Sequence, residues 1–165
     1  MTNKSLEKEF LTRLNESQGI VHKVCGMYCD NEEERKDLFQ EILIHLWKSY
    51  PSFKGEAKFS TWMYRVAFNI AIQQLRKEKK KKEDHVLPEQ LDQFSNEYEE
   101  DELIEERKML KIAIKQLNEV EKAIIMLYLE DRDNEDIAEI IGISQNHVRV
   151  KMSRIRNKLK DIVEA

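Results

Sequence analysis

Apolar residues recur along this chain at spacings of three, four and seven, the period of helices that each bury one face. Leu6, Phe10, Leu14, Val21, Val24 and Tyr28 form the stripe of one long helix ending near Gly26–Asp30. Asn31 followed by Glu34 has the spacing of a cap and third helical position, and it opens a second helix through Leu38, Phe39, Ile42, Leu46 and Trp47 that stops before Pro51. After the loop PSFKGEAK, Ser60 is placed to cap a third helix running from about Thr61 into the lysines at 79–82. Farther on, Leu103, Leu110, Ile114 and Leu117 predict a helix, and Asn118 with Glu121 opens another over Val120 to Leu129. A short helix capped by Asp133 or Asn134 follows, with Ile137, Ala138 and Ile141 inward. Gly142 supplies a turn, and Ser144 caps a last helix whose Val148, Met152, Ile155 and Leu159 face the core, which completes a helix-turn-helix. With four Gly and two Pro in the whole chain, few turns remain for a sheet, so the predicted fold class is all-α.

Composition sharpens this into domains. At 165 residues and 41% apolar content the chain can bury a core, as one domain or two very small ones. The formal charge of −4 hides a strong segregation. Residues 36–82 carry 11 basic and 4 acidic side chains, 83–106 carry none and 11, and 107–165 carry 12 and 10. The acidic segment, with Pro88 and poor apolar periodicity, cannot bury enough surface to offset the entropy of ordering it. Two small helical domains, 1–82 and 107–165, joined by an acidic flexible linker, 83–106, are therefore expected. No apolar run approaches the ~20 residues of a membrane span, and MTNKSLEKEF lacks the apolar stretch of a secretion signal, so a cytoplasmic protein without membrane insertion is predicted. Cys25 and Cys29, four apart on a helix, make no disulfide framework and suit a reducing compartment.

The third helix, projected at 100° per residue, has two apolar edges: Phe59, Met63, Val66 and Ile70 on one side, Tyr64, Phe68, Ala71, Ile72 and Leu75 on the other. Between them runs an open stripe of Lys58, Trp62, Arg65, Asn69, Gln73 and Arg76. Cations can hold phosphates there while planar groups meet unstacked bases, the combination used on single strands. The preceding loop adds Phe53 and Gly55 between two lysines, a place where a splayed base could be held. The run KEKKKK at 77–82 offers only general phosphate attraction. On the last helix the outward arc holds Asn146, His147, Arg149, Val150, Ser153 and Arg154. Asn pairs with an adenine edge, Arg with guanine, and Val touches a thymine methyl, which suits a helix in the major groove. Lys151, Arg156, Lys158 and Lys160 would sit on the DNA backbone.

No Gly-rich phosphate cradle and no set of nucleophile, base and orienter is present, so neither catalytic chemistry nor a cofactor is expected. Two other readings compete. His22, Cys25 and Cys29 share one helical face and could supply three zinc ligands of a metal or redox sensor, although a fourth ligand is not evident. Alternatively the chain is a stand-alone helix-turn-helix regulator whose first domain is only a dimerisation or signal-receiving bundle.

Two long stretches carry a resemblance. DLFQEILIHLWKSYPSFKGEAKFSTWMYRVAFNIAIQQLR, Asp37 to Arg76, and LNEVEKAIIMLYLEDRDNEDIAEIIGISQNHVRVKMSRIRNKL, Leu117 to Leu159, resemble the extracytoplasmic-function group of the sigma-70 family, bacterial RNA polymerase specificity subunits. The resemblance implies that Asp37, Gln40 and Glu41 dock on the clamp helices of the polymerase's largest subunit. It implies that Phe53 and Asn69 contact the non-template strand of the minus-ten element, that the helix after Ser144 reads the minus-35 element, and that the second domain rests on the β-flap. Control by an anti-sigma factor is implied in the same way, as is the lack of an appended sensory domain after Ala165. Asn118 departs from the family pattern, where many members carry proline, and a capping side chain tolerates that change.

Overall fold

The structure, a computed structural model, describes residues 3–84 and 102–164, which form seven α-helices and no strand. Residues 85–101, the greater part of the expected linker, lie outside the described residues, as does the Leu103 side chain. Helix α1 spans Asn3–Tyr28, α2 Glu32–Ser49, α3 Phe59–Asp84, α4 Glu102–Lys115, α5 Glu119–Leu129, α6 Asn134–Ile141 and α7 Gln145–Glu164. A single 3-10 turn, Tyr50–Ser52, connects α2 to the loop before α3.

Local chemistry sets most of these boundaries. The Asn31 side chain accepts the Glu34 amide at 2.7 Å and starts α2. At α5, Asn118 accepts the Glu121 amide at 2.8 Å while the Glu121 carboxylate takes the Asn118 amide at 3.1 Å, a closed capping box. Asp133, rather than Asn134, caps α6 through the Asp136 amide at 2.8 Å, and Ser144 caps α7 through His147 at 3.1 Å. Ser60 is not a cap: α3 begins at Phe59, and the Trp62 amide already bonds the Lys58 carbonyl at 3.1 Å. Helix α6 ends on Gly142 at φ 85°, with the Gly142 and Ile143 amides both returning to the Ala138 carbonyl. Helix α5 ends in the same way but places Asp131 at φ 61°, the single non-glycine residue with positive φ among the described residues.

In the first half, α1, α2 and α3 pack around Phe10, Val21, Ile42, Leu46, Met63, Tyr64 and Phe68, each at or below 4% exposure. Burial of each large side chain contributes roughly 1.5–3 kcal/mol. In the second half, α4 lies on α7, and α5, α6 and α7 meet around Ile124, Leu127, Ile137, Ile140, Val148 and Ile155. Leu110, expected to face this core, is exposed together with Met109 and Ile112, whereas Ala113 and Ile114 of α4 and Leu117 just after it are buried. On α6 the most buried position of the last turn is Ile140, with Ile141 only half-buried.

The two halves touch. Helices α5 and α6 rest against α3, and buried residues of both halves join one apolar cluster. Tyr28 Oη donates to the Glu119 carbonyl at 2.6 Å, Thr61 Oγ1 to Asp136 Oδ1 at 2.9 Å, and Lys23 Nζ to Glu130 Oε2 at 2.8 Å. Lys79 Nζ lies 2.6 Å from Glu119 Oε1, and Lys115 Nζ 3.2 Å from Asp30 Oδ1.

Backbone conformation yields a paired prediction. Gly142→Ala forces a Cβ into the left-handed region and costs about 1 kcal/mol, whereas Asp131→Gly relieves it and gains about 0.5–1 kcal/mol. Urea denaturation of the two variants should shift the midpoint in opposite directions. A second prediction concerns acid. Burial works against the Glu121 carboxylate, but hydrogen bonds from Lys158 and the Asn118 backbone, with the nearby Lys charges, outweigh it and hold its pKa below the ordinary range. A carboxyl depressed in the folded state contributes stability that is fully present above its unfolded value of about 4.3 and lost as pH falls through the folded value. Glu121→Gln should therefore flatten the acid limb of stability against pH while costing about 1–2 kcal/mol near neutrality, measured by denaturation from pH ~7 down to ~3.

Candidate nucleic-acid interface

Helix α3 is buried on two sides, as its apolar edges predict, because α1 and α2 cover one and the second half covers the other. What stays open is the polar stripe. Lys58, just before α3, and Arg65, Asn69, Gln73 and Arg76, the last four each about one turn from the next, are exposed. Trp62 differs: it is half-buried, its ring 5.1 Å from Phe53, 5.5 Å from Phe59 and 6.2 Å from Tyr50.

These four aromatic rings form a box that holds the loop before α3. Tyr50 is buried, and its hydroxyl donates to Glu9 Oε1 at 2.7 Å. The Arg13 guanidinium of α1 sits over the Tyr50, Phe53 and Phe59 rings at 6.0, 5.8 and 5.6 Å. Gly55, at φ 74°, turns the loop back toward α3. The result is a pocket of about 260 Å³ with Phe53, Lys54, Thr61, Trp62 and Arg65 in its wall. Its chemistry is an aromatic face beside two cations, enough room and the right groups for one planar base with its phosphate. One wall residue comes from elsewhere: Glu139 of α6. Neither Glu139 nor Arg13 carries a local sequence signal, since both reach the loop only through the tertiary fold.

On α7 the expected reading arc is solvent-facing throughout: Asn146, His147, Arg149, Val150, Ser153 and Arg154 are all exposed. Arg149 and Ser153 share a shallow hollow of about 260 Å³ with Tyr128, Asn134 and Arg156, three residues outside that arc. Arg156 lies over the Tyr128 ring at 5.1 Å. Lys158 is not a free backbone contact. Its ammonium bonds both oxygens of the buried Glu121, at 3.0 and 2.8 Å, so its first role is to neutralise the capping box of α5.

On α2, Asp37, Gln40 and Glu41 are exposed on one face. Ile44, half exposed, continues that face one turn on, an apolar anchor among polar groups. Glu41 also lies 3.5 Å from His45.

The cysteine face supports no metal centre. Cys25 is buried and the His22 ring stacks on Phe39 at 4.5 Å, so the three side chains are occupied in packing. Burial, more than any neighbouring charge, pushes both the Cys25 and Cys29 thiols up to about 11, which disfavours the thiolate that a metal would need. Among the described residues no group of three or more His, Cys, Asp or Glu is arranged to hold a metal ion, and no helix is long and apolar enough to cross a membrane.

A larger groove of about 570 Å³ opens where α1, α4 and α5 meet. Met27, Ile114 and Met126 floor it, and Arg35, Lys111 and Lys122 stand around it. Burial lowers the Lys122 pKa, and the nearby Glu119 and Asp30 carboxylates offset it only in part.

Two family models match the chain. The family model for sigma-70 region 2 matches residues 14–81, and that for sigma-70 region 4 matches residues 107–159. The chain is 27% identical over 164 residues to the ECF RNA polymerase sigma factor SigW of Bacillus subtilis, covering 86% of this chain and 84% of that one. It is likewise 27% identical over 156 residues to the RNA polymerase sigma factor SigV of Bacillus subtilis, covering 93% and 91%. The fold is similar to that of the sigma factor RpoE of Bartonella quintana, solved with the anti-sigma factor NepR, at a TM-score of 0.75 and 21% identity over 96% of this chain and 98% of that one. It is also similar to CnrH, solved with the cytosolic domain of CnrY, at a TM-score of 0.68 and 14% identity over 96% and 89%. With both regions matched in order along the chain, it belongs to the extracytoplasmic-function group of the sigma-70 family of RNA polymerase sigma factors.

Proposed function

We propose that this chain binds core RNA polymerase in the cytoplasm and directs it to promoters, with residues 1–82 and 107–165 as two DNA-reading domains and 83–106 as their tether. One observation carries the reading: the open stripe of α3 runs directly into an aromatic-walled pocket that can receive an unstacked base. Phe53 and Trp62 supply the ring faces, Asn69 and Gln73 the hydrogen-bonding edges, and Lys58, Arg65 and Arg76 the phosphate contacts. Binding a base that has left the duplex offsets its unstacking, a few kcal/mol, so the open state is favoured by selective affinity. The chain supplies no bond chemistry of its own, and polymerisation belongs to the partner enzyme.

The α7 arc holds the minus-35 duplex, with Asn146, Arg149 and Val150 on base edges and His147, Ser153 and Arg154 beside them. Asp37, Gln40 and Glu41, with Ile44 as an apolar anchor, meet the clamp helices of the largest subunit, and the second domain rests on the β-flap. An anti-sigma factor fits the groove between α1, α4 and α5. Its apolar floor beside Arg35, Lys111 and Lys122 suits an acidic amphipathic helix; among the neighbouring structures, RpoE was solved with the anti-sigma factor NepR and CnrH with the cytosolic domain of CnrY.

Run-off transcription from a genomic fragment library, with core polymerase and with or without this chain, tests the reading. New start sites should appear only when the chain is present, and their absence would defeat it. A stand-alone regulator would instead protect operator DNA without polymerase. Phe53→Ala and Asn69→Ala should each cut promoter opening by about 10-fold or more, read by permanganate reactivity, with upstream protection retained. Arg149→Ala should weaken upstream binding by about 1–3 kcal/mol and relax sequence choice at one position, while leaving opening on a premelted template intact.

A further inference from the structure

We propose that Arg13 of α1 is a positioning residue for base capture: from outside the pocket it braces the Phe53 ring that meets the melted strand. Helix α1, an element outside the DNA surfaces described above, thereby sets how well the minus-ten base is held. This rests on the reading of the loop before α3 as the minus-ten pocket and adds to it the residue that keeps the pocket ready.

The pocket has a weak point. Phe53 follows the 3-10 turn Tyr50–Ser52 and precedes Gly55, at φ 74°, so its backbone lies in neither flanking α-helix. A ring on such a segment keeps several rotamers unless something else fixes it, and fixing it at the moment of binding costs affinity. Here it is fixed in advance. Tyr50 stacks on Phe53 with ring centroids 6.3 Å apart and planes at 18°, and Phe59 meets both edge-on, at 77° to Phe53 and 85° to Tyr50. The Arg13 guanidinium carbon lies 6.0, 5.8 and 5.6 Å from the Tyr50, Phe53 and Phe59 centroids, one cation shared by three rings. A compact ammonium can sit over one ring, whereas a planar guanidinium spans several, so lysine is no substitute.

Arg13 is itself held. Glu9, one turn earlier on α1, places Oε1 3.5 Å from Arg13 Nη2, and the same oxygen accepts the Tyr50 hydroxyl at 2.7 Å. Swinging the guanidinium off the rings therefore gives up that carboxylate as well. Of this cluster, Phe53 and Trp62 line the pocket with Lys54 and Arg65, while Arg13, Tyr50 and Phe59 stand outside its wall. Arg13 thus acts on the strand through Phe53, and Lys54 and Arg65 are left to meet the phosphate. Both Arg13 and Glu9 lie ahead of residues 14–81, the stretch matched by the region 2 model.

A brace and a phosphate contact differ in what they lose. Holoenzyme assembled from core polymerase and the full chain should be titrated with a fluorescent forked template whose non-template minus-ten strand is copied from a promoter recovered by the run-off experiment. The same fork should then carry one abasic site at each successive position. In the wild type one abasic position should weaken binding most, which marks the captured base. Arg13→Ala should weaken binding of the intact fork by about three- to ten-fold, the factor set by one side chain that must be ordered on binding. On the fork abasic at the marked position it should lose less than about two-fold, because the two changes remove the same interaction. Arg13→Lys keeps the charge, should show the same base-dependent loss, and covers the case in which Arg13→Ala impairs folding. A phosphate contact predicts instead equal losses of Arg13→Ala on both forks and wild-type binding by Arg13→Lys. In the free chain carrying Trp47→Phe, Trp62 is the one remaining tryptophan, and acrylamide should quench it more readily once Arg13 is replaced, at unchanged helicity by circular dichroism. Equal losses on both forks, or no loss on the intact fork, overturns the brace alone. A wild type with no base-sensitive position but intact promoter-directed transcription removes the pocket reading and the brace with it, and absence of such transcription removes the function reading as a whole.

Discussion

Helix α3 is a core element that must also keep one polar stripe open, the stripe proposed above as a ligand surface, and the rest of the molecule is arranged around that constraint. Met63, Tyr64, Ala67, Phe68 and Ala71 are buried, so the helix cannot shift or rotate without disrupting the first half. The cost of that burial is that only a narrow strip is left for binding. The same burial is what makes the strip useful, since exposed arginines and amides on a fixed helix keep their spacing when a strand arrives. The aromatic box extends this rigidity into the loop. Tyr50 is held through Glu9, Phe53 lies between Arg13 and Trp62, and a base-sized pocket is present before any ligand enters.

The second half solves a different problem with weaker materials. Helix α6 is short and depends on Asp133 at its start and Gly142 at its end, and α7 is anchored through Val148, Met152 and Ile155 on one face. On its other face Asn146, His147, Arg149, Val150, Ser153 and Arg154 stay exposed. Charge there is deployed with economy: Lys158, one of six basic residues between 144 and 160, is spent on Glu121. The acidic pair Asp136 and Glu139 lies on the opposite side of the helix-turn-helix and turns toward α3. The same small domain therefore carries cations on its exposed arc and turns carboxylates toward α3.

Features governed by neighbours within a few residues were legible in the sequence. The Asn31 and Asn118 caps, the Gly142 turn, the Ser144 cap and the exposed stripe at 65, 69, 73 and 76 all follow from spacing and side-chain chemistry. Ser60 misled because it is already the second residue of a helix that starts at Phe59, with the Trp62 amide bonded to the Lys58 carbonyl. Leu110 misled because the apolar pattern of α4 exceeds what one partner helix can cover. The remaining misses are long-range by nature. Lys158 meets Glu121 from 37 residues away, Thr61 meets Asp136 from 75, and the box around Phe53 draws Arg13 from another helix. No periodicity encodes such encounters, since they exist only once the helices are docked.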